Sequence, residues 1–389
     1  MHQLTNKCDV DDEAQRNLRQ PLLLLLHAID GGLGHLSRLI AITEELRLLS
    51  TLPLVPLFLC ETDSRLLEAY GYRFIPIPDR DKAVRYGWPY DIPSLTALSV
   101  GAIEAIVDSW RPAIIIHDTH LWEPLVRLGS GVGAKQVAIV RRTPNFKGFL
   151  RSNKSTLEEM DLVLFPDDGS SDNRNVEKIL QCPTEHVGEI RRPSLSQDVA
   201  QDRLPPSGIR ILVTSGGGGL PTTGTFLEDA SSAIAALHLK DLQVTFVPGP
   251  LFGGHICYSG TATVVVLPFV SDMVMLAGKH DVVVCQGGYN TIAELRHVGC
   301  CVVCVPQPLD SDDQFQRAAE IAATNHKFQI AHSRDEISEC VRGFLNQRHF
   351  GSLAGGSAQS ESRGASRAAI RILGLVGAAP REAAQADAG

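Results

Sequence analysis

The sequence predicts an α/β protein made of two doubly wound parallel-sheet domains, and three observations carry the prediction. Short apolar runs alternate with stretches of helical periodicity along most of the chain, the β-then-α rhythm of wound sheets. Two of those runs, Pro21 to Ala28 and Ile209 to Thr214, pass directly into glycine-rich turns and then into helices. Between the halves lies a polar, proline-bearing stretch without periodicity, running to Pro206. At 389 residues the chain has room for two domains of roughly 100–200 residues each. The expected boundaries are a disordered extension at 1–20, a first domain at 21–190, a linker at 191–207, a second domain at 208–376 and a disordered tail at 377–389.

Composition narrows the classes of function. A hydrophobic share of 44% with 21% charged residues is ordinary for a folded soluble chain, so disorder is not the default. The net charge of −8 argues against a broad nucleic-acid surface. Nine irregularly spaced cysteines, an odd number, make no disulfide framework and suit a reducing cytoplasm. Leu22 to Leu26 falls far short of the ~18 apolar residues of a membrane span. Residues 1–20 lack the order of a signal peptide. Cytoplasmic residence is therefore expected, with peripheral membrane contact left open.

In the first half, Pro21 to Ala28 runs into Asp30-Gly31-Gly32-Leu33-Gly34-His35, after which Leu36, Leu39, Ile40, Leu46 and Leu49 mark one helix face. Glycines alone would say only that the turn is tight. His35 adds chemistry, because a histidine in the first turn of a helix beside a glycine loop stands where a substrate hydroxyl could lie and could serve as a general base. Strands follow at Leu54 to Cys60 and Phe74 to Ile77, with a helix at Asp63 to Tyr70 between them. Arg80 to Pro93, bearing Tyr86, Trp88 and Tyr90, reads as a loop, and helix resumes from Ile103 to Trp110. The strand Ala113 to Ile116 ends in His117-Asp118-Thr119-His120. Two histidines and a carboxylate invite a metal, but no second ligand set stands at useful spacing, and zinc takes three or four protein ligands. Asp118 or His120 is instead expected to contact a bound substrate. Val137 to Val140, ending at Arg141 and Arg142, and Asp161 to Phe165 are further strands.

In the second half, Ser215-Gly216-Gly217-Gly218-Gly219 reads either as a flexible link or as a loop whose backbone N–H groups approach a phosphate. The preceding strand and the following helix, with Leu227, Ala230, Ile234 and Leu237 on one face, favour the loop, and the missing P-loop lysine excludes a kinase-type site. Val244 to Val247 and Val264 to Leu267 are strands, the latter leading into Pro268-Phe269-Val270-Ser271-Asp272-Met273. The densest unit is Asp281 to Ala319, in which the strand from Val282 ends at Gly287-Gly288, a helix opens at Thr291, and the strand Cys300 to Val305 stops at Pro306. Open parallel sheets bind ligands at such carboxyl ends. Thr291-Ile292-Ala293-Glu294 also spells a capping box, which would explain Glu294 without a ligand. Cys301 and Cys304 spell CxxC, but odd spacing in a strand turns them to opposite faces. Asp310-Ser311-Asp312 has the letters of a metal-binding DxD. Amphipathic helix is expected from Glu336 to Leu345, then a glycine and serine-rich link from Gly351 to Gly364 and a last helix from Ala368 to Val376.

The pattern GGYNTIAEL, preceded by VLPFVSDM and followed by DDQFQRAAEIA, resembles the donor-binding signature of MurG-like glycosyltransferases of the GT-B fold. GLGHLSR resembles the N-terminal GLGHxxR motif of a group of predicted glycosyltransferases. Together the two blocks span roughly Pro21 to Val376. The resemblance implies a nucleotide-sugar donor, UDP-linked, bound between the domains, no cofactor and no metal. It places His35 in the active-site cleft as the base. It places Gly32, Gly34, Ser215, Gly216, Gly217, Gly218, Gly287, Gly288, Asn290 and Thr291 on the donor, with Phe269 and Met273 bordering the nucleobase. Glu294 would accept hydrogen bonds from the ribose hydroxyls, and Asp313 with Gln314 would reach the transferred sugar. Arg38, Asp118 and His120 are the candidates on the acceptor side. Arg38 stands where MurG itself has proline and agrees with the GHxxR group, which includes a nucleotide-sugar hydrolase, so hydrolysis stays open beside an inverting transfer. Arg80 to Pro93 and Arg142 to Ser155 are the expected acceptor loops, suited about equally to a lipid-linked sugar, a peptide or a secondary metabolite.

Overall fold

A computed structural model describes residues 21–28, 33–61, 65–77, 92–167, 179–195, 208–309, 312–349, 363–378 and 380, with the side chains of 92–96 and 348–349 set aside. The terminal extensions, Gly32 and the three residues before it, the aromatic loop 78–91, Asp310-Ser311 and the glycine-serine link therefore lie outside the described residues.

The first domain alternates as the sequence predicts. Strand β1 (Leu22–Ala28) leads to helix α1 (Leu33–Leu49), then β2 (Leu54–Cys60), α2 (Arg65–Ala69) and β3 (Arg73–Pro76). Next come α3 (Ile92–Trp110), β4 (Ile114–Asp118), α4 (Glu123–Gly131), β5 (Lys135–Ile139), α5 (Phe146–Ser152), α6 (Lys154–Leu157), β6 (Leu162–Phe165) and β7 (Thr184–His186). All seven strands pair in parallel, in the order β3-β2-β1-β4-β5-β6-β7. β1 is a run of leucines because helices cover both faces: Leu24 and Leu26 face one cluster with α1, while Leu25 faces Ile103, Val107 and Leu125 on the other side. Each buried leucine contributes roughly 1.5–3 kcal/mol.

The second domain runs β8 (Ile209–Thr214), α7 (Thr223–Ala235), β9 (Leu242–Val247), β10 (Thr263–Val266), α8 (Met273–Ala277), β11 (Val282–Gln286), α9 (Tyr289–Leu295), β12 (Cys301–Val305), α10 (Gln314–Ala322), β13 (Phe328–Ile330) and α11 (Arg334–His349). Its six strands are parallel in the order β10-β9-β8-β11-β12-β13. Cys301 and Cys304 fall in separate apolar clusters on opposite faces, as their spacing requires. Helix α12 (Arg363–Leu375) then returns to the first domain, where Ala368, Ala369, Ile372 and Leu373 are fully buried against the α1 side of the first sheet. Gly364 makes that contact possible, since a Cβ there would lie 2.1 Å from Glu189 O.

Several expectations are corrected. Helix α3 begins at Ile92, ending the aromatic loop earlier than Pro93, because proline is well placed in a first helical turn. The proposed acceptor loop Arg142 to Ser155 is largely helical, with Asn145 capping α5 by accepting from Gly148 N–H. Helix α9 starts at Tyr289, two residues before Thr291, with Gly288 at the cap and no capping side chain, so the capping-box explanation of Glu294 does not hold.

Both strand orders reverse at one place, between β1 and β4 in the first sheet and between β8 and β11 in the second. Crevices open at the carboxyl ends of strands where the winding direction changes. The turn bearing His35 leaves β1 and Asp118 ends β4; the Ser215 turn leaves β8 and Gly287-Gly288 leaves β11. Topology alone thus brings the four stretches to two facing sheet ends.

Candidate active site

His35 and Asp118, 83 residues apart, meet across the first switch point. His35 Nδ1 donates to Asp118 Oδ1 at 2.8 Å, and Asp118 is completely buried. Arg38, one helical turn beyond His35, donates through Nε to Asp118 Oδ2 at 2.8 Å and through Nη2 to Oδ1 at 2.5 Å. Thr119 Oγ adds a fourth donor at 2.9 Å from a backbone with φ of 64°, a left-handed conformation that β-branched residues rarely adopt. Holding it costs on the order of 1–3 kcal/mol, which the ionic cluster offsets. Arg38 above all, then His35, keeps the Asp118 carboxyl well below the ordinary carboxylate range despite burial. Because an ionised carboxylate only accepts, and Asp118 Oδ1 at 2.8 Å is nearer to Nδ1 than Arg38 Nη2 at 3.3 Å, Nδ1 carries the imidazole proton and Nε2 keeps its lone pair. Burial lowers the pKa of His35, so the ring is neutral at pH 7. The carboxylate behind the imidazole thus fixes its tautomer.

The second domain closes directly over this dyad. Asn290 Nδ2, in the first turn of α9, donates to Gly34 O at 3.0 Å, and a Cβ on Gly34 would stand 2.7 Å from that nitrogen. Gly217, in the turn after β8, lies 3.6 Å from the Leu33 nitrogen measured from its own would-be Cβ. A side chain at Gly34 would thus collide with the Asn290 amide reaching across the cleft, whereas Gly217 has ordinary contact room. Tyr289, also at the start of α9, donates its hydroxyl to Pro166 O at 2.9 Å and accepts from Ile190 N–H at 3.2 Å.

With this geometry in view, comparison with known proteins is informative. Residues 221–350 match the model of the glycosyltransferase family 28 C-terminal domain. The UDP-N-acetylglucosamine-N-acetylmuramyl-(pentapeptide) pyrophosphoryl-undecaprenol N-acetylglucosamine transferase of Burkholderia mallei (strain SAVP1) is 26% identical over 166 residues, 40% of this chain and 43% of that one. The chain thus spans less than half the length of that relative. Two solved structures superpose over nearly the whole molecule. MurG of Acinetobacter baumannii has a TM-score of 0.53 at 15% identity, covering 90% of this chain and 100% of that one. TcCGT1 in complex with UDP has a TM-score of 0.62 at 14% identity, covering 92% and 99%. The chain has the GT-B fold.

In this GT-B protein the donor-side residues named from the sequence cluster at the second switch point, and several already hold internal partners. Ser215 Oγ donates to Pro248 O at 2.5 Å, shaping the glycine turn, and Gly216 N–H donates to Thr214 Oγ at 3.2 Å. A Cβ on Gly216 would lie 3.0 Å from Thr291 Oγ, so the turns after β8 and β11 touch. Gly218, at φ of 78°, packs so closely on Pro248 O that a Cβ would stand 2.3 Å away. Thr222 and Thr223, at the start of α7 beyond this turn, present buried hydroxyls without partners among the described residues. Gly287 abuts Gln314, whose Oε1 accepts from Gln307 N–H at 2.9 Å. Asp313 caps α10 by accepting from Gln316 N–H at 3.2 Å. Met273 is buried in the second domain's core. Phe269 turns the other way, against the first domain, with the Arg65 guanidinium 5.6 Å from its ring centre. His120 is exposed beside the dyad, its ring 6.2 Å from that of His35. His117 faces away, with Nε2 2.8 Å from Gln136 Oε1, so adjacent letters in the His117-Asp118 pair belong to opposite faces of the sheet.

Glu294 is where the GT-B cleft departs from a simple open donor site. Its Oε1 accepts from Arg192 Nε at 3.0 Å and Nη2 at 2.8 Å, while Arg192 Nη1 donates to Ser271 O at 3.1 Å. Ser194 Oγ and Leu195 N–H bind Asp272 nearby, at 2.5 and 2.8 Å. The crossing between domains therefore lies on the Glu294 carboxylate. Nothing in the periodicity of 191–195 announced this, because the partner is about a hundred residues away. Tyr289, Arg141, Asp312 and Arg317 were likewise assigned no role from sequence, although their position beside the glycine turns was visible.

Proposed function

We propose that the chain transfers a sugar from a nucleotide-sugar, UDP-linked, to a hydroxyl acceptor held on the His35 side of the cleft. The observation carrying this reading is the His35–Asp118 dyad, joined to the signature helix by the 3.0 Å Asn290–Gly34 hydrogen bond. His35 Nε2 takes the acceptor's hydroxyl proton as its oxygen bonds to the anomeric carbon. The bond from that carbon to the diphosphate breaks, and the electron pair leaves with UDP. Asp118 holds the imidazole in the right tautomer and steadies the imidazolium that forms. Attack from the face opposite the leaving group inverts the anomeric centre. The glycine turn Ser215-Gly219 and the start of α7 offer N–H groups and the free Thr222 and Thr223 hydroxyls to the departing charge, a task for preorganised donors that needs no metal. The family 28 match over residues 221–350 and the UDP-bound structural neighbour support the choice of donor.

Glu294 is proposed to bind the ribose diol, which requires the domains to part and Arg192 to let go. His35→Ala is expected to lower turnover by about 10²–10⁴-fold while calorimetry still detects UDP binding. Unchanged turnover would remove the dyad from the chemistry. Arg38, buried on Asp118 in place of a proline, favours one second reading, in which water replaces the acceptor. UDP release at full rate without any acceptor would select that hydrolase.

A further inference from the structure

Beside the dyad lies a set of charges that neither base catalysis nor diphosphate binding uses. Arg141, at the end of β5, reaches across the cleft and sets Nη1 3.1 Å from Asp312 Oδ1. Arg317, one turn into α10, binds the same oxygen and donates through Nη1 to Gly287 O at 3.0 Å. Arg38 and Arg317 both set their guanidiniums against the Tyr289 ring, 5.5 and 5.3 Å from its centre. Three arginines thus share two carboxylates, Asp118 and Asp312, none of the five side chains more than 18% exposed. Among the described residues one positive charge is in excess, and two guanidinium nitrogens, Arg38 Nη1 and Arg141 Nε, are buried without a hydrogen-bond partner. An uncompensated buried cation is strongly unfavourable unless an anion is to join it.

The location says which anion. The donor's diphosphate has its own proposed cradle at the Ser215 turn and the start of α7, on the second domain. Arg141 instead projects from the first domain onto the residue just before Asp313 and Gln314, the turn assigned to the transferred sugar. Its Nη1 holds Asp312 while its Nε edge is vacant, the edge through which a guanidinium grips a carboxylate in a planar fork. We propose that the transferred sugar is acidic, its carboxylate seated on Arg141 beside Arg38, with Asp312 holding the arginine in place until the sugar arrives. The inference rests on the sugar-transfer reading and adds the chemical class of the sugar.

Titration calorimetry of the intact chain with UDP, UDP-glucose and UDP-glucuronate tests it. Wild-type protein is expected to bind UDP-glucuronate at least about tenfold more tightly than UDP-glucose. Arg141→Met, which leaves Asp312 paired with Arg317, should bring that ratio to about one while UDP affinity changes less than about threefold. Arg141→Lys keeps the charge without the planar fork and should retain only part of the preference. The proposal fails if the wild type does not distinguish the two sugars, or if the preference survives loss of Arg141. Equal weakening of UDP itself in the Arg141 variants would give the arginine to the diphosphate instead. Binding of glucose 6-phosphate to UDP-saturated protein, with no donor preference, would move the anion to the acceptor and equally overturn the claim. If wild-type protein binds none of the three nucleotides, sugar transfer itself falls, a result distinct from the others.

Discussion

At the scale of single residues, the His35–Asp118 pair makes a prediction about pH. The Asp118 hydrogen bond and charge raise the pKa of His35, while burial lowers it more. Asp118→Asn removes the raising influence, so the acid limb of the rate profile should move to lower pH even as the plateau falls by about 10²–10⁴-fold. An acid limb that stays in place would mean another group sets it. His27 offers a stability test. It is fully buried at the end of β1, both ring nitrogens lack partners, and it stacks on Trp122 with ring centres 6.2 Å apart. Burial drives its pKa well below the usual value, and that of its neighbour His117 down to about 4. The unfolded chain takes up protons on these rings near pH ~6.5 whereas the folded one resists, so their effect is absent above that pH and stability drains away as pH falls toward 4. His27→Leu should remove part of that acid sensitivity and raise stability at pH 7 by about 1–3 kcal/mol, as read from denaturant midpoints. A mutant less stable than wild type would show that the imidazole makes a contact its neighbours conceal.

At the scale of elements, the legible parts were those whose signal is local. β2 and β8 lie where the apolar runs place them, because a strand buried on both faces is continuously apolar. The missed helices α4, α5 and α6 and the short strands β7 and β13 are amphipathic or only three residues long, and their apolar positions interrupt rather than run. The start of α9 was placed two residues late because Thr291 looked like a cap; Tyr289 belongs to the helix, with its hydroxyl fixed between Pro166 and Ile190. The glycine turn after β8 was read for its missing side chains, and Gly218 shows how strictly that holds. Its φ of 78° and the Pro248 oxygen leave no room, so Gly218→Ala should strain the turn by about 1–3 kcal/mol. It should weaken UDP binding more than it lowers thermal stability, whereas equal loss of both would make the turn a structural corner only.

At the scale of the molecule, sequence could place His35 and Glu294 on opposite halves but could not say what each touches before a ligand arrives. That answer depends on pairs such as His35–Asp118 and Arg192–Glu294, whose separations of 83 and 102 residues no periodicity encodes. Arg192 is paired with Glu294, and on the proposal that Glu294 binds the ribose diol a donor must displace it, which lowers apparent affinity by the fraction of molecules still paired. Arg192→Met should therefore tighten UDP binding by up to about tenfold, while Glu294→Ala should weaken it. Weaker binding in the Arg192 variant would instead make the arginine a ligand contact.

The return of α12 to the first domain bears on how such opening can proceed. The polypeptide crosses between the halves twice, once after Ile190 and again before Arg363, and Gly364 seats the second crossing against Glu189 beside the first. Two ropes moored at one bollard let a boat swing about that point and forbid it to drift away. Catalytic and donor-side loops on this protein should accordingly part by pivoting and meet again in the same alignment, turnover after turnover.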